Sequence, residues 1–183
     1  VYGEDQYHPY ISSTVKYIGR SAFENTGFTN VILNNANAII GERAFANCKN
    51  MTTFNTAAYC TEIGKEAFMN NTKMTSFIFG ASVTTIKKGA FKNTGLQNMI
   101  LPDNIITIED EAFKDTNLSY FYTNPTSKLE SIGENVFEEM SELRILNKTT
   151  TFKETTAKPE TVICGYIDST AKEYADTYNR TFL

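Results

Sequence analysis

Ile86-Lys-Lys-Gly-Ala90-Phe91-Lys-Asn93-Thr-Gly-Leu96-Gln-Asn-Met99-Ile-Leu101-Pro102-Asp-Asn-Ile105-Ile-Thr-Ile108 is one period of a pattern that fills most of this 183-residue chain. Its signature is an Ile five positions before a Phe that follows Ala or Val. Six copies start at Ile18, Ile40, Ile63, Ile86, Ile108 and Ile132 and carry Phe23, Phe45, Phe68, Phe91, Phe113 and Phe137. Successive rings are 22, 23, 23, 22 and 24 residues apart. Self-similarity at that period marks stacked coils, each burying its apolar face against its neighbours, so the expected fold is a repeat solenoid and one elongated domain.

Each period contains two β-like stretches. Leu96-x-x-Met99-x-Leu101 ends with the two-residue alternation of a strand that has one buried face. Its equivalents read as Phe28/Val31/Leu33, Met51/Phe54, Met74/Phe77/Phe79, Leu118/Phe121 and Leu143/Leu146. Ile105-x-x-Ile108 forms the second stretch, returning across the other side. Between them, the Ala-Phe pair is expected to start one short helical or 3₁₀ turn that drops the ring into the stack. A ring in every coil makes an aromatic spine, each fully buried Phe contributing roughly 1.5 to 3 kcal/mol. Two residues after each Phe stands Asn25, Asn47, Asn70, Asn93, Asp115 or Glu139. This column is expected to be a structural ladder whose side chains bond backbone groups freed by the bend; a row of ligand-binding amides is the alternative.

Composition excludes several functions. Seventeen basic and 21 acidic residues give a net charge of −4, with no clustered basic face of the kind that neutralises phosphates, so nucleic acid is not an expected partner. The longest apolar runs, Phe77 to Phe79 and Met99 to Leu101, fall far short of the ~20 residues that cross a bilayer. Three cysteines do not suggest a disulfide framework. Cys48 and Cys60 fall on repeat columns as small buried side chains, and Cys164 lies outside them. His8 is the only histidine, which rules out His-based triads and multi-His metal sites, and no phosphate loop or calcium loop is present. Glu109, Asp110 and Glu111 read as a solvated turn. No enzyme, cofactor or metal site is expected. The chain opens at Val1 with neither an initiator Met nor a signal peptide, and so reads as a piece of a longer precursor.

These columns resemble the leucine-rich repeats of the BspA-like class, also seen in treponemal surface proteins, whose unit is close to L-x-x-[IV]-x-[LI]-P-x-x-[VI]-x-x-I-G-x-x-A-F-x-[NG]-C. The resemblance covers roughly residues 11 to 147. Val162-Ile-Cys-Gly165-Tyr166-Ile-Asp-Ser169-Thr170-Ala171-Lys-Glu173-Tyr174-Ala175 is similar to the segment G-Y-x-x-S-T-A-E-x-Y-A that closes such arrays. Departures are visible: Pro102 alone keeps the Pro after the strand, and Ile86 and Ile108 are followed by Lys and Glu where the class has Gly. The resemblance implies a right-handed leucine-rich repeat superhelix, mostly β with short helical or 3₁₀ turns, and a bacterial or protist protein that is secreted or on the cell surface.

Three regions are expected: a partial repeat or cap over residues 1–17, six repeats over 18–147, and a degenerate repeat with a capping helix near 169–178 over 148–183. Thr170-x-x-Glu173 has the form of a capping box, and Ala171, Tyr174, Ala175 and Tyr178 recur on one helical face. At the other end, Val1 to Tyr10 is the candidate cover.

If Val31, Phe77, Met99 and Phe121 point inward, alternation turns Asn30, Ile32, Asn55, Ser76, Ile78, Asn98, Ile100, Tyr120 and Tyr122 outward, on the side that repeat analogy makes concave. These nine residues are the candidate binding surface, an apolar and aromatic stripe interrupted by Asn55, with β-propensity filling a sheet surface as the alternative. The expected function is a non-catalytic, adhesin-like protein-interaction module, extracellular or on the cell surface, whose partner is a host or neighbouring surface protein. The alternative is a structural spacer or stalk presenting another domain.

Overall fold

The computed structural model describes residues 9–33, 38–56, 58, 60–138 and 140–183. The expected cover at the N-terminal end lies, as far as His8, outside the described residues, and so does Glu139. Short parallel strands alternate between two sides of a stack of coils. On the front are β1 (Tyr10–Ile11), β3 (Asn30–Leu33), β5 (Thr53–Asn55), β7 (Ser76–Ile78), β9 (Asn98–Leu101), β11 (Tyr120–Thr123), β13 (Glu142–Arg144) and β15 (Val162–Cys164). The back holds β2 (Tyr17–Ile18), β4 (Ile39–Ile40), β6 (Glu62–Ile63), β8 (Thr85–Ile86), β10 (Thr107–Ile108), β12 (Ser131–Ile132) and β14 (Thr151–Phe152). The seven back strands form one sheet, whereas the front strands form two sheets of four, β1-β3-β5-β7 and β9-β11-β13-β15.

The core follows from the repeat columns. Phe45, Phe68, Phe91, Phe113 and Phe137 are buried and stack nearly parallel, at centroid spacings of 5.6, 5.5, 5.2 and 6.1 Å. Front-strand rings pack edge-on against this spine, Phe54 on Phe68 at 4.6 Å and Phe77 on Phe91 at 4.7 Å. Phe23 and Phe28, at the end of the described stack, are only partly buried. The residue beside each buried spine ring, Ala44, Ala67, Ala90, Ala112 and Val136, is buried as well.

At the corner the chain makes no continuous helix. Bonds from residue i+3 back to i, such as Ala46 N to Arg43 O at 3.0 Å, close successive turns. Residues two before and two after each Phe have left-handed φ: Arg43 and Asn47, Glu66 and Asn70, Gly89 and Asn93, Glu111 and Asp115. This alternation sends every second N–H along the stack. Arg43, Phe45 and Asn47 thus donate to Lys65, Ala67 and Met69 of the next coil at 2.8 to 2.9 Å. The corner becomes a third line of coil-to-coil bonding beside the front and back strands.

In the sixth coil the alignment of Leu143 and Leu146 with the first stretch needs correcting. Leu143 pairs with Phe121, so Met140 and Leu143 hold the equivalent buried positions and Leu146 lies beyond the strand. Six residues separate Phe137 from Leu143 where other coils have eight or nine, which is why the pattern slips. The Thr-rich segment that follows builds a seventh coil. β14 pairs with β12, and buried Thr150, Thr156 and Thr161 donate to Leu129 O, Gly133 O and Met140 O of the sixth.

Helix α1 (Thr170–Thr177) closes this end. Its N-cap is Ser169, which accepts from Lys172 N; Thr170 instead donates across to Lys148 O and Thr150 O, so the cap sits one residue before the expected box. Ala171, Tyr174 and Ala175 are buried, with Tyr174 stacked on Phe152 at 4.9 Å, while Tyr178 packs against Tyr174 at 5.3 Å and is 37% exposed. The last residues run along β15, Leu183 N donating to Ile163 O at 2.9 Å.

Candidate functional site

Alternation along each front strand sorts its side chains. Val31, Phe54, Phe77, Met99, Phe121 and Leu143 point into the core. Their neighbours face outward in two rows fixed by the pairing register. One row runs Asn30, Thr53, Ser76 and, in the second sheet, Asn98, Tyr120, Glu142; the other runs Ile32, Asn55, Ile78 and then Ile100, Tyr122, Arg144.

Ile32, Ile78 and Ile100 are 54, 49 and 67% exposed, and Tyr120 is 39% exposed. Ser76 and Asn98 are exposed, while Asn30, Asn55 and Tyr122 are half-buried. Asn55 stands between Ile32 and Ile78 in register. The stripe is not continuous: it breaks between Ile78 and Ile100, where the two front sheets part. Tyr120 and Tyr122 stand side by side but in different rows. Beyond them the surface turns charged, Glu142 accepting from Arg144 Nη2 at 2.8 Å, a bond that raises the Arg144 pKa.

The Asn column lies on a different side of the molecule, at the spine corner. Asn93 Nδ2 donates to Asn70 Oδ1 at 2.9 Å, Asn70 Nδ2 to Asn47 Oδ1 at 2.9 Å, and Asn47 Nδ2 to Glu24 Oε1 at 3.0 Å. The amides link side chain to side chain at the surface, and the expected bonds from these side chains to freed backbone groups do not describe them; the backbone N–H groups there already reach the next coil. Asn25 and Asp115 share the left-handed φ, and Asp115 lies against Glu138, with burial and that neighbour raising its pKa.

Ion pairs run beside this column. Arg43 bridges Glu24 at 2.5 Å and Glu66 at 2.9 Å, Lys92 meets Glu111 at 2.7 Å, and Lys114 meets Glu138 at 3.0 Å. Hydrogen bonds from Arg43, then Ser21 and Asn47, hold the Glu24 carboxyl down from its ordinary 4.5 to about 2. Two carboxylates of the acidic turn instead accept backbone N–H groups of neighbouring coils, Glu109 from Lys88 N and Asp110 from Glu134 N, each at 2.9 Å. Burial pushes the Cys60 thiol up to about 12 and raises that of Cys48.

Among the described residues no cluster of three or more His, Cys, Asp or Glu side chains is placed to hold a metal, and no helix is long and apolar enough to cross a membrane. The left-handed column two residues before each Phe, and the parting of the front sheets, escaped the sequence reading.

The family description "BspA type Leucine rich repeat region" matches residues 7–119 and 61–158, in six copies. No curated protein matches. A solved leucine-rich repeat protein from Bacteroides ovatus ATCC 8483 is 18% identical over 85% of this chain and 54% of its own, with a TM-score of 0.45. The present chain therefore spans about half of that protein. The pneumococcal vaccine antigen PcpA is 13% identical over 93% of this chain and 77% of its own, with a TM-score of 0.45. A leucine rich cell surface protein from Faecalibacterium prausnitzii A2-165 is 13% identical over 93% and 76%, with a TM-score of 0.47.

Proposed function

Because the chain belongs to the BspA-type leucine-rich repeat family, we propose that it is a non-catalytic protein-interaction module that binds through the outer surface of its front sheets. One observation carries this reading: Ile32, Ile78 and Ile100 project into solvent from strands whose opposite faces are already sealed in the core. A solvated strand position gains from a large apolar side chain only its β-propensity, on a scale of about 1 kcal/mol, whereas a partner that covers it removes apolar surface from water. The proposed contact surface is Asn30, Ile32, Asn55, Ser76, Ile78, Asn98, Ile100, Tyr120 and Tyr122. Tyr and Ile supply its apolar anchors, and the amides and Ser76 supply adaptable hydrogen bonds. In this role the Asn column is a structural ladder.

In this reading the module acts outside the cell or on its surface, in an adhesin-like role, with a host or neighbouring surface protein as partner; the family resemblance supports it. The test replaces Ile78, Ile100 and Tyr122 together by Lys and measures binding to a panel of surface and matrix proteins. The variant should lose the partner of the parent chain while keeping its melting temperature; undiminished binding overturns the reading. The interruption of the stripe by Asn55 favours a second reading, a spacer that presents another domain. That reading predicts no partner for the parent chain.

A further inference from the structure

Neighbouring front strands are joined by parallel ladders, with one exception. β7 pairs with β5 and β9 pairs with β11, but no backbone hydrogen bond joins β7 to β9 among the described residues. No Cα of one strand lies within 8 Å of a Cα of the other. Both ends of this opening are closed. At one end Gly95 lies so near the previous coil that a Cβ there would stand 2.5 Å from Thr72 O, and at the other Ile106 N donates to Thr84 O at 2.7 Å.

Coil length does not explain the opening: eight residues separate Phe23 from Val31 and nine separate Phe45 from Phe54, yet β3 and β5 pair. Phe79 stands where other coils carry Leu33 or Leu101, and its ring meets Phe91 of the next coil edge-on at 5.9 Å, a wedge between coils. The floor stays closed, with Phe77 and Met99 only 8 and 4% exposed. What results is a shallow slot with an apolar floor, flanked by two strand edges whose peptide groups lack a ladder partner.

We infer that this slot receives an extended segment of a partner polypeptide, added as a strand between β7 and β9. Strands in a sheet lie about 4.8 Å apart, so one inserted strand needs roughly 9.6 Å between its flanks, and every Cα of β7 stands more than 8 Å from those of β9. An extended peptide backbone presents donors and acceptors along both of its edges and so satisfies two facing rows at once. Ser76, Ile78, Asn98 and Ile100 flank the slot without charge, which selects an uncharged segment. Its length is set by β9, about four residues, with both ends rising off the front surface. This inference rests on the front-surface reading and names the chemical form of the partner.

The probe is a display library of random heptapeptides selected on the full chain, followed by hydrogen exchange of the chain with an enriched peptide bound. Exchange at residues 76–79 and 98–100 should slow by about tenfold or more on both strands. Phe79→Leu removes the wedge, lets the strands close and should weaken the peptide by about tenfold or more. If that variant does not fold, protection on the parent chain decides alone. An empty selection, or protection confined to other surfaces, overturns the inference. Loss of a folded partner from the Ile78, Ile100 and Tyr122 variant, without slot protection by any peptide, removes the slot and leaves the front-surface reading standing.

Discussion

The side-chain amide of Asn70 donates to Asn47 Oδ1 at 2.9 Å, and both residues have left-handed φ, 65° and 60°. Two demands meet at that column. The backbone needs a residue that tolerates φ above zero, and adjacent coils, one repeat apart, place their side chains at hydrogen-bonding distance. Asn meets both, since its short polar side chain enters the left-handed region more readily than most L-residues and offers a donor and an acceptor at once.

Replacing Asn70 separates these demands. Asn70→Ala loses the amide bonds and retains a Cβ at left-handed φ, and should cost about 1 to 2 kcal/mol. Asn70→Gly loses the same bonds but relieves the backbone, and should cost less, under about 1 kcal/mol. Urea denaturation of both variants gives the ranking; an Ala variant as stable as the Gly variant removes φ from the explanation.

Acid should loosen the first coils by way of Glu24. Its carboxyl, held near 2 by Arg43 against an ordinary value of 4.5, binds protons less tightly in the folded chain than in the unfolded one. The stability it contributes is therefore fully present above about pH 4.5 and is lost as pH falls towards 2. In Arg43→Met that part of the acid-induced loss should shrink, so unfolding free energy measured by urea between pH 5 and pH 2.5, both about these values, falls less steeply. Identical slopes in parent and variant contradict this role.

Cys60 is a probe of opening. Burial pushes its thiol up to about 12, so at neutral pH it is both protonated and covered. Alkylation by iodoacetamide should leave Cys60 unmodified in the native chain and modify it fully in urea, as read by mass spectrometry of its peptide. Rapid native labelling would mean that the coil opens locally.

What the sequence revealed and what it hid follow from one cause. Columns with a fixed side-chain chemistry, the spine rings, their Ala or Val neighbours and the Ile five positions before each ring, announce themselves because six coils sample each one independently. The column two residues before each Phe holds Ser21, Arg43, Glu66, Gly89, Glu111 and Asn135, all with left-handed φ but with no shared side chain. Only Gly89 and Asn135 carry the usual signal, so the conformation is hidden in the other coils. The outward residues could be read from alternation. The break between Ile78 and Ile100 could not, because β3 and β5 pair across the same one-residue difference in coil length and Phe79 reads as one more apolar residue of its column. The alignment of Leu143 is hidden by its coil, which is shorter between ring and strand.

The most direct measurement compares two single variants by urea denaturation, Phe91→Ala in the spine and Ile100→Ser on the front surface. Phe91 is fully buried between the rings of Phe68 and Phe113, so its truncation should cost about 3 to 5 kcal/mol. Ile100 is 67% exposed, and its replacement should cost under about 1 kcal/mol. That gap is what leaves the front row free for a partner. Equal losses at the two positions would contradict the division of labour between a spine that holds the coils and a surface that binds.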